Sequence, residues 1–144
     1  MRLNSFLLIY TQPNVIRILF LGFSAGLPLL LVFGTLSFWL REAGLELSTI
    51  GFFSWIGLVY AFKWIWSPLV DQMPIPLMTR ILGRRRAWLL ISQITIIIGL
   101  IGIAMTDPAE NVSPIIGFAL LTAFASATQD IALDAFRIES GEIE

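Results

Sequence analysis

The stretch NVSPIIGFALLTAFASATQDIALDAFRIE, residues 111–139, decides how the chain is read. It opens with 19 uncharged residues, 111–129, and then brings Asp130, Asp134 and Arg137. The i, i+3, i+4 rule sets those three on one helical face. A helix needs roughly 20 apolar residues to cross ~30 Å of hydrocarbon. The stretch therefore predicts a transmembrane helix with two carboxylates toward one end.

Three more uncharged runs stand in front of it. They cover residues 18–40 (23 residues), 47–62 (16) and 87–106 (20). The second reaches spanning length only if Lys63 is allowed inside, which carries it to Val70. These runs predict helices at about 14–40, 47–70, 87–106 and 113–137, with a loop at 71–86. The expected fold is an all-α membrane protein with four transmembrane helices.

Composition agrees. Charged residues make up 13% of the chain and the mean hydropathy is +0.85, whereas soluble domains carry about 25% charged residues. A net charge of −1 gives no basic stripe for nucleic acid. Cysteine and histidine are both absent. Disulfides, thiol nucleophiles, histidine bases and the usual zinc ligands are thereby excluded. No metal, cofactor or enzymatic activity is expected. The opening MRLNSFLLIYTQPN has no small-residue cleavage site and is not expected to be a signal peptide.

Orientation follows from lysine and arginine in short loops. Arg80, Arg84, Arg85 and Arg86 fall in the second loop, Arg2 before the first span, Arg17 at its start and Arg137 at the end of the fourth. The first loop has only Arg41 and the third has none. The second loop and both termini are expected to be cytoplasmic. Trp39, Trp66 and Trp88 lie near span ends, where indoles favour the interface. Trp55 and Trp64 lie deeper and are expected to pack inside. Ser48 is a candidate N-cap for the second span, and Pro114 suits the first turn of the fourth.

Four features carry candidate function. Gly22 and Gly26 in GFSAGLP form a GxxxG pattern that favours close helix packing. Pro28 removes one backbone hydrogen bond and can kink the first span. Lys63 lies eight residues before Asp71, ~12 Å along a helix. It either snorkels to the surface or faces a partner. Asp130 lies seven residues, ~10 Å, inside Arg137, at a matching depth. While Asp134 pairs with Arg137, Asp130 is left to pair with Lys63 or to take up a proton. The neighbouring Ser126, Thr128 and Gln129 suit a wet cavity.

The loop SPLVDQMPIPLMTRILGRRRAW closes one helix on a carboxylate and opens the next on glycine and arginines. This resembles the major facilitator superfamily pattern G-x-x-x-D-R-x-G-R-R between spans two and three. Here Pro68 stands near the leading glycine, and a proline-bearing insert stretches Asp71 to Gly83. With GFSAGLPLLLVFGTLSFWLREAGLELSTIGFFSWIGLVYAFKWIWSPLVD, GRRRAWLLISQ and SATQDIALDAF, the chain resembles the AmpG-type muropeptide permeases of that superfamily over roughly Ile18 to Arg137.

The resemblance implies alternating-access transport in the bacterial inner membrane. Anhydro-muropeptides and protons would be the transported partners, with membrane lipid around them. The candidate proton and substrate path is Asp130, Gln129 and Lys63, with Ser24 on the first span as an addition. A cytoplasmic gate would comprise Asp71, Gly83, Arg84, Arg85, Arg86, Asp134 and Arg137. Such permeases have at least twelve spans in two halves of paired three-helix repeats. Four spans are thus expected to be the N-terminal part of a major facilitator domain, with the remaining transporter helices missing; the closing SGEIE does not read as a natural end. The alternatives are an acetyl-CoA-type permease of the same superfamily, a four-helix scaffold or regulator without transport, and a small exporter that dimerises.

Overall fold

The computed structural model describes residues 10–141, the side chains as far as Glu139. Arg2 lies outside them. Four long helices carry the architecture: α1 (Pro13–Glu42), α2 (Leu47–Ile65), α5 (Arg84–Ala104) and α6 (Ser113–Gly141). Two short ones, α3 (Ser67–Gln72) and α4 (Met78–Leu82), join α2 to α5. The four long helices are long and apolar enough to cross a membrane, and no strand occurs among the described residues. Leu19, Phe20, Phe23, Leu30 and Phe38 point outward from α1. An apolar surface of that extent suits lipid rather than water.

Local chemistry explains where the helices start and bend. Pro13 occupies the first turn of α1, where its missing N–H costs nothing. Pro28 sits buried inside α1, and a π-helical segment, Leu31–Thr35, follows it. The second span was expected to run unbroken to 70, but it is interrupted. It tightens into 3₁₀ turns at Ser54–Ile56 and Lys63–Ile65, and Trp66 (φ −102°, ψ 0°) separates α2 from α3. Pro68, which disfavours helix just before itself, accounts for the second break. At the loop's end Gly83 adopts φ 83°, a conformation glycine takes without strain. The chain turns there, so Arg84, Arg85 and Arg86 form the first turn of α5 instead of belonging to the loop.

α2 starts at Leu47, with Glu46 at its cap and Ser48 donating a 3.2 Å hydrogen bond to the Glu46 carboxylate. Ser48 is thus not the cap. Trp55 and Trp64, expected inside, are 68% and 67% exposed and face outward. Trp66 is the packing residue: its ring stacks on Phe124 at 4.8 Å. Trp88 donates to the Met73 carbonyl at 3.0 Å and ties the loop to α5.

The fold is organised around α6, which packs against each of the other three spans. Toward the end where α6 begins, Ile115, Ala119 and Ala123 close a core with Val32, Leu36 and Leu40 of α1, Phe53 and Ile56 of α2, and Ile103 of α5. The closest helix approach lies between α5 and α6. A Cβ on Gly102 would sit 2.5 Å from the Phe118 ring, and one on Gly99 would collide with the Thr122 hydroxyl. The GxxxG glycines behave otherwise. A Cβ on Gly22 would lie 3.1 Å from Nη2 of Arg137, and one on Gly26 meets nothing within 4 Å. The GxxxG spacing did not reveal this, because what a glycine accommodates depends on which face meets a neighbour.

Gly102→Val is therefore expected to destabilise the chain by roughly 1–3 kcal/mol, the usual cost of overpacking, whereas Gly26→Val has almost no effect. Thermal unfolding of the two variants in detergent checks this. Equal loss in both would contradict the α5–α6 packing.

Candidate functional site

The polar end of the bundle is built on α6, and Lys63 reaches it from α2. The 3₁₀ turn carries the ammonium to 3.8 Å from Asp130 Oδ2 and 3.8 Å from Asp134 Oδ2. Asp134 Oδ1 lies 3.6 Å from Arg137 Nη1. Two cations and two carboxylates thus form one ladder without net charge. Neutrality matters here, because an unpaired charge within a span is costly. At these separations the contacts are ionic, longer than hydrogen-bond distance.

Lys63 and Asp130 are half-buried, with side chains 34% and 28% exposed, and Asp134 is open at 59%. The sequence reading gave Lys63 to Asp130 and Arg137 to Asp134. The structure contains both pairs and adds the Lys63–Asp134 contact. This sharing gives the site its chemical capacity. A proton taken by Asp130 leaves Lys63 and Arg137 to share Asp134, so the ladder then carries one net positive charge while Lys63 keeps one carboxylate within 3.8 Å.

In the surrounding wall the sequence reading passed over Tyr60 and Phe124. Trp66 Nε1 donates to Thr128 Oγ1 at 3.2 Å, and that hydroxyl donates to the Phe124 carbonyl at 2.8 Å. Tyr60 lies beside Ser126, and both hydroxyl oxygens are buried without a well-aligned hydrogen bond. Tyr60 could have been found from its spacing, three residues before Lys63 and on the same helical face.

Beyond Arg137, a different pair closes the end of the bundle. Arg85 donates to the Ala135 carbonyl and pairs with Glu139 at 2.8 Å. Arg84 and Arg86 are exposed, and with Gly83 and Phe136 they line an open cavity of about 360 Å³. Asp71 is half-buried and belongs to none of the ion pairs among the described residues. Glu139 was missed because its partner lies 54 positions away on another helix and nothing local marks it.

Ser24 and Gln129 stand together, but elsewhere. They line a cavity of about 300 Å³ between α1 and α5, which also takes in Gln93. Gln129 is 1% exposed, and neither of its amide atoms has a hydrogen-bond partner. Among the described residues no group of His, Cys, Asp and Glu could hold a metal ion.

Comparison with known proteins adds a family. The profile described as acetyl-coenzyme A transporter 1 matches residues 15–140. The anhydromuropeptide permease of Escherichia coli (strain K12) is 40% identical over 136 residues, which are 94% of this chain and 27% of that protein. A Rickettsia felis transporter named AmpG 4 is 35% identical over 136 residues, 94% of this chain and 33% of its own length. An uncharacterized Haemophilus influenzae protein is 42% identical over 120 residues. The chain thus spans about a quarter to a third of the length of the curated relatives it matches. No solved structure gives a significant match.

Proposed function

This chain belongs to the acetyl-coenzyme A transporter 1 family, and from that membership we propose that it works as the N-terminal part of a proton-coupled importer of anhydro-muropeptides in a bacterial inner membrane. The observation that carries the proposal is the neutral ladder of Lys63, Asp130, Asp134 and Arg137 inside a span. Intramembrane ionisable groups mark ion and substrate pathways. A pair that opens on protonation biases one access state over the other. Asp130 is the proton acceptor and Lys63 its release partner. The gate lies at the cytoplasmic end, where Arg85 holds Ala135 and Glu139 while Asp134 holds Arg137, with Gly83, Arg84 and Arg86 lining the cavity beside them, and we assign Asp71 to the same gate. The muropeptide assignment draws on the name of the Escherichia coli relative.

The test is a chimera in which this chain replaces the matched 136 residues of the Escherichia coli permease. Expected is accumulation of labelled anhydro-muropeptide that collapses with an uncoupler, at a membrane level equal to the parent's. Normal insertion without uptake would reject the proposal. A second reading, acetyl-CoA transport, draws on the description of the family. Competition by acetyl-CoA, with none by muropeptide, would favour it.

Topology has its own check. The chain has no cysteine, so single cysteines at Met78 and Asn111 give a clean labelling pair. They are expected to react from opposite sides of the membrane, Met78 from the cytoplasm. Reaction of both from one side would overturn the orientation.

A further inference from the structure

Two hydroxyl groups lie one helical turn from the ion-pair ladder, on the side away from Arg137, and the ladder makes no use of them. Tyr60 stands three residues before Lys63 on α2, and Ser126 four residues before Asp130 on α6, so each shares a helical face with its charged neighbour. The two hydroxyls lie beside each other, and the Tyr60 oxygen is within electrostatic reach of Asp130. Both oxygens are buried without a well-aligned hydrogen bond, and Ser126 is buried completely. Buried helical serines and threonines can bond the carbonyl four residues back. Thr122 and Thr128 do so at 2.8 Å, to Phe118 and Phe124, but Ser126 between them does not. Its hydroxyl is left for another group. We propose that Tyr60 and Ser126 are positioning residues for Asp130, the Tyr60 oxygen accepting a hydrogen bond from the Asp130 carboxyl when it is protonated while the Tyr60 hydroxyl donates to Ser126.

The inference rests on the reading of Asp130 as proton acceptor and follows from what a protonated carboxyl needs. An ionised Asp130 only accepts, and Lys63 answers it at 3.8 Å. A neutral one carries an O–H, which is costly to bury without an acceptor. The charged groups around it are Lys63 on α2, Asp134 and Arg137 on α6, and Asp71 on the adjoining α3. The ionisable residues of α1 (Arg17, Arg41 and Glu42) and of α5 (Arg84, Arg85 and Arg86) stand toward the helix ends. Lysine and arginine offer donors alone, and Asp134 is engaged by both cations. The hydroxyl rung has the capacity that the ladder lacks, since each hydroxyl can accept and donate at once. Asp130 donates to Tyr60 and Tyr60 to Ser126, while Ser126 donates to the Thr122 carbonyl, one turn back on its own helix. Every donor in that chain is satisfied, and chained hydrogen bonds strengthen one another. The Tyr60 ring packs on Phe33 of α1, with ring centres 6.2 Å apart, which holds the phenol in place for this role.

The test is an infrared pH titration of the purified 144-residue chain, which reads protonated carboxyl groups directly and needs no transport. The Asp130 band is the one that Asp130→Asn removes. Tyr60→Phe keeps the ring and loses the acceptor, so it is expected to move the midpoint of that band toward acid by about half a unit to one unit, the equivalent of one lost hydrogen bond. Ser126→Ala is expected to move it the same way by less, and Ser126→Thr, which keeps a hydroxyl, to leave it where the parent has it. An unmoved midpoint in Tyr60→Phe, or in Ser126→Ala should the first variant not fold, would refute the inference. So would a Ser126→Thr shift as large as that of Ser126→Ala. A folded chain without any Asp130 band would sink both this inference and the reading of Asp130 as proton acceptor. The expected shifts alongside a chimera that fails to accumulate solute would uphold the inference and count against the transport proposal alone.

Discussion

Asp130→Asn, in the chimera with the Escherichia coli permease, is expected to abolish proton-driven accumulation while leaving exchange of labelled for unlabelled solute largely intact. Asparagine keeps the size and polarity of the side chain but cannot carry a proton. Exchange needs only that the access states interconvert, whereas accumulation needs their interconversion tied to proton movement. The scale is large. A potential of 100 mV does about 2.3 kcal/mol of work on one charge, which sustains roughly a fiftyfold gradient. Uptake with and without an uncoupler gives the answer. If the mutant's accumulation still follows the gradient as the parent's does, Asp130 is not where proton and solute are coupled.

The second large effect concerns folding. Lys63→Met is expected to be strongly destabilising. It leaves Asp130 and Asp134 with Arg137 as their one remaining partner in the ladder. Removing one member of a buried ion pair costs about 3–5 kcal/mol, and the partial exposure of these groups brings the expected loss to about 1–3 kcal/mol. Lys63→Met combined with Asp130→Leu is expected to recover most of it, because no charge is then stranded. A thermal-unfolding double-mutant cycle on the purified chain measures this. Additive effects would show that the two residues act separately.

The spans were legible because the signal for them is redundant. Uncharged runs of spanning length depend little on any one residue, and the Lys63–Asp130 encounter followed from two matched depths. What escaped depends on rotation and local bending. Pro68 was visible in the sequence, yet the break at Trp66 and the 3₁₀ turn that carries Lys63 depend on backbone angles that hydropathy does not encode. Gly83 was noted as part of a loop pattern, but its positive φ moved three arginines into a helix. Trp55 and Trp64 were placed inside by depth, whereas depth in a membrane leaves two directions open, toward protein or toward lipid. Ser24 and Gln129 were grouped with Lys63 and Asp130 as one path, whereas their side chains line the cavity between α1 and α5.

The central position of α6 has a consequence for how the chain is made. Of the four spans, α6 leaves the ribosome last, and it is the one the others pack against. About 70 residues separate Lys63 from Asp130 in the sequence. At ~5–20 residues per second, the lysine waits roughly 4–14 s for its counter-charge. During that interval α2 is a stem of marginal hydropathy carrying a lone ammonium, which favours a shallow, tilted seat with the amine drawn toward the headgroups. Arrival of the fourth stem neutralises it and lets α2 settle. Biogenesis is thus back-loaded: a stall before Ser113 leaves the first three spans without the helix they pack on and Lys63 without its counter-charges.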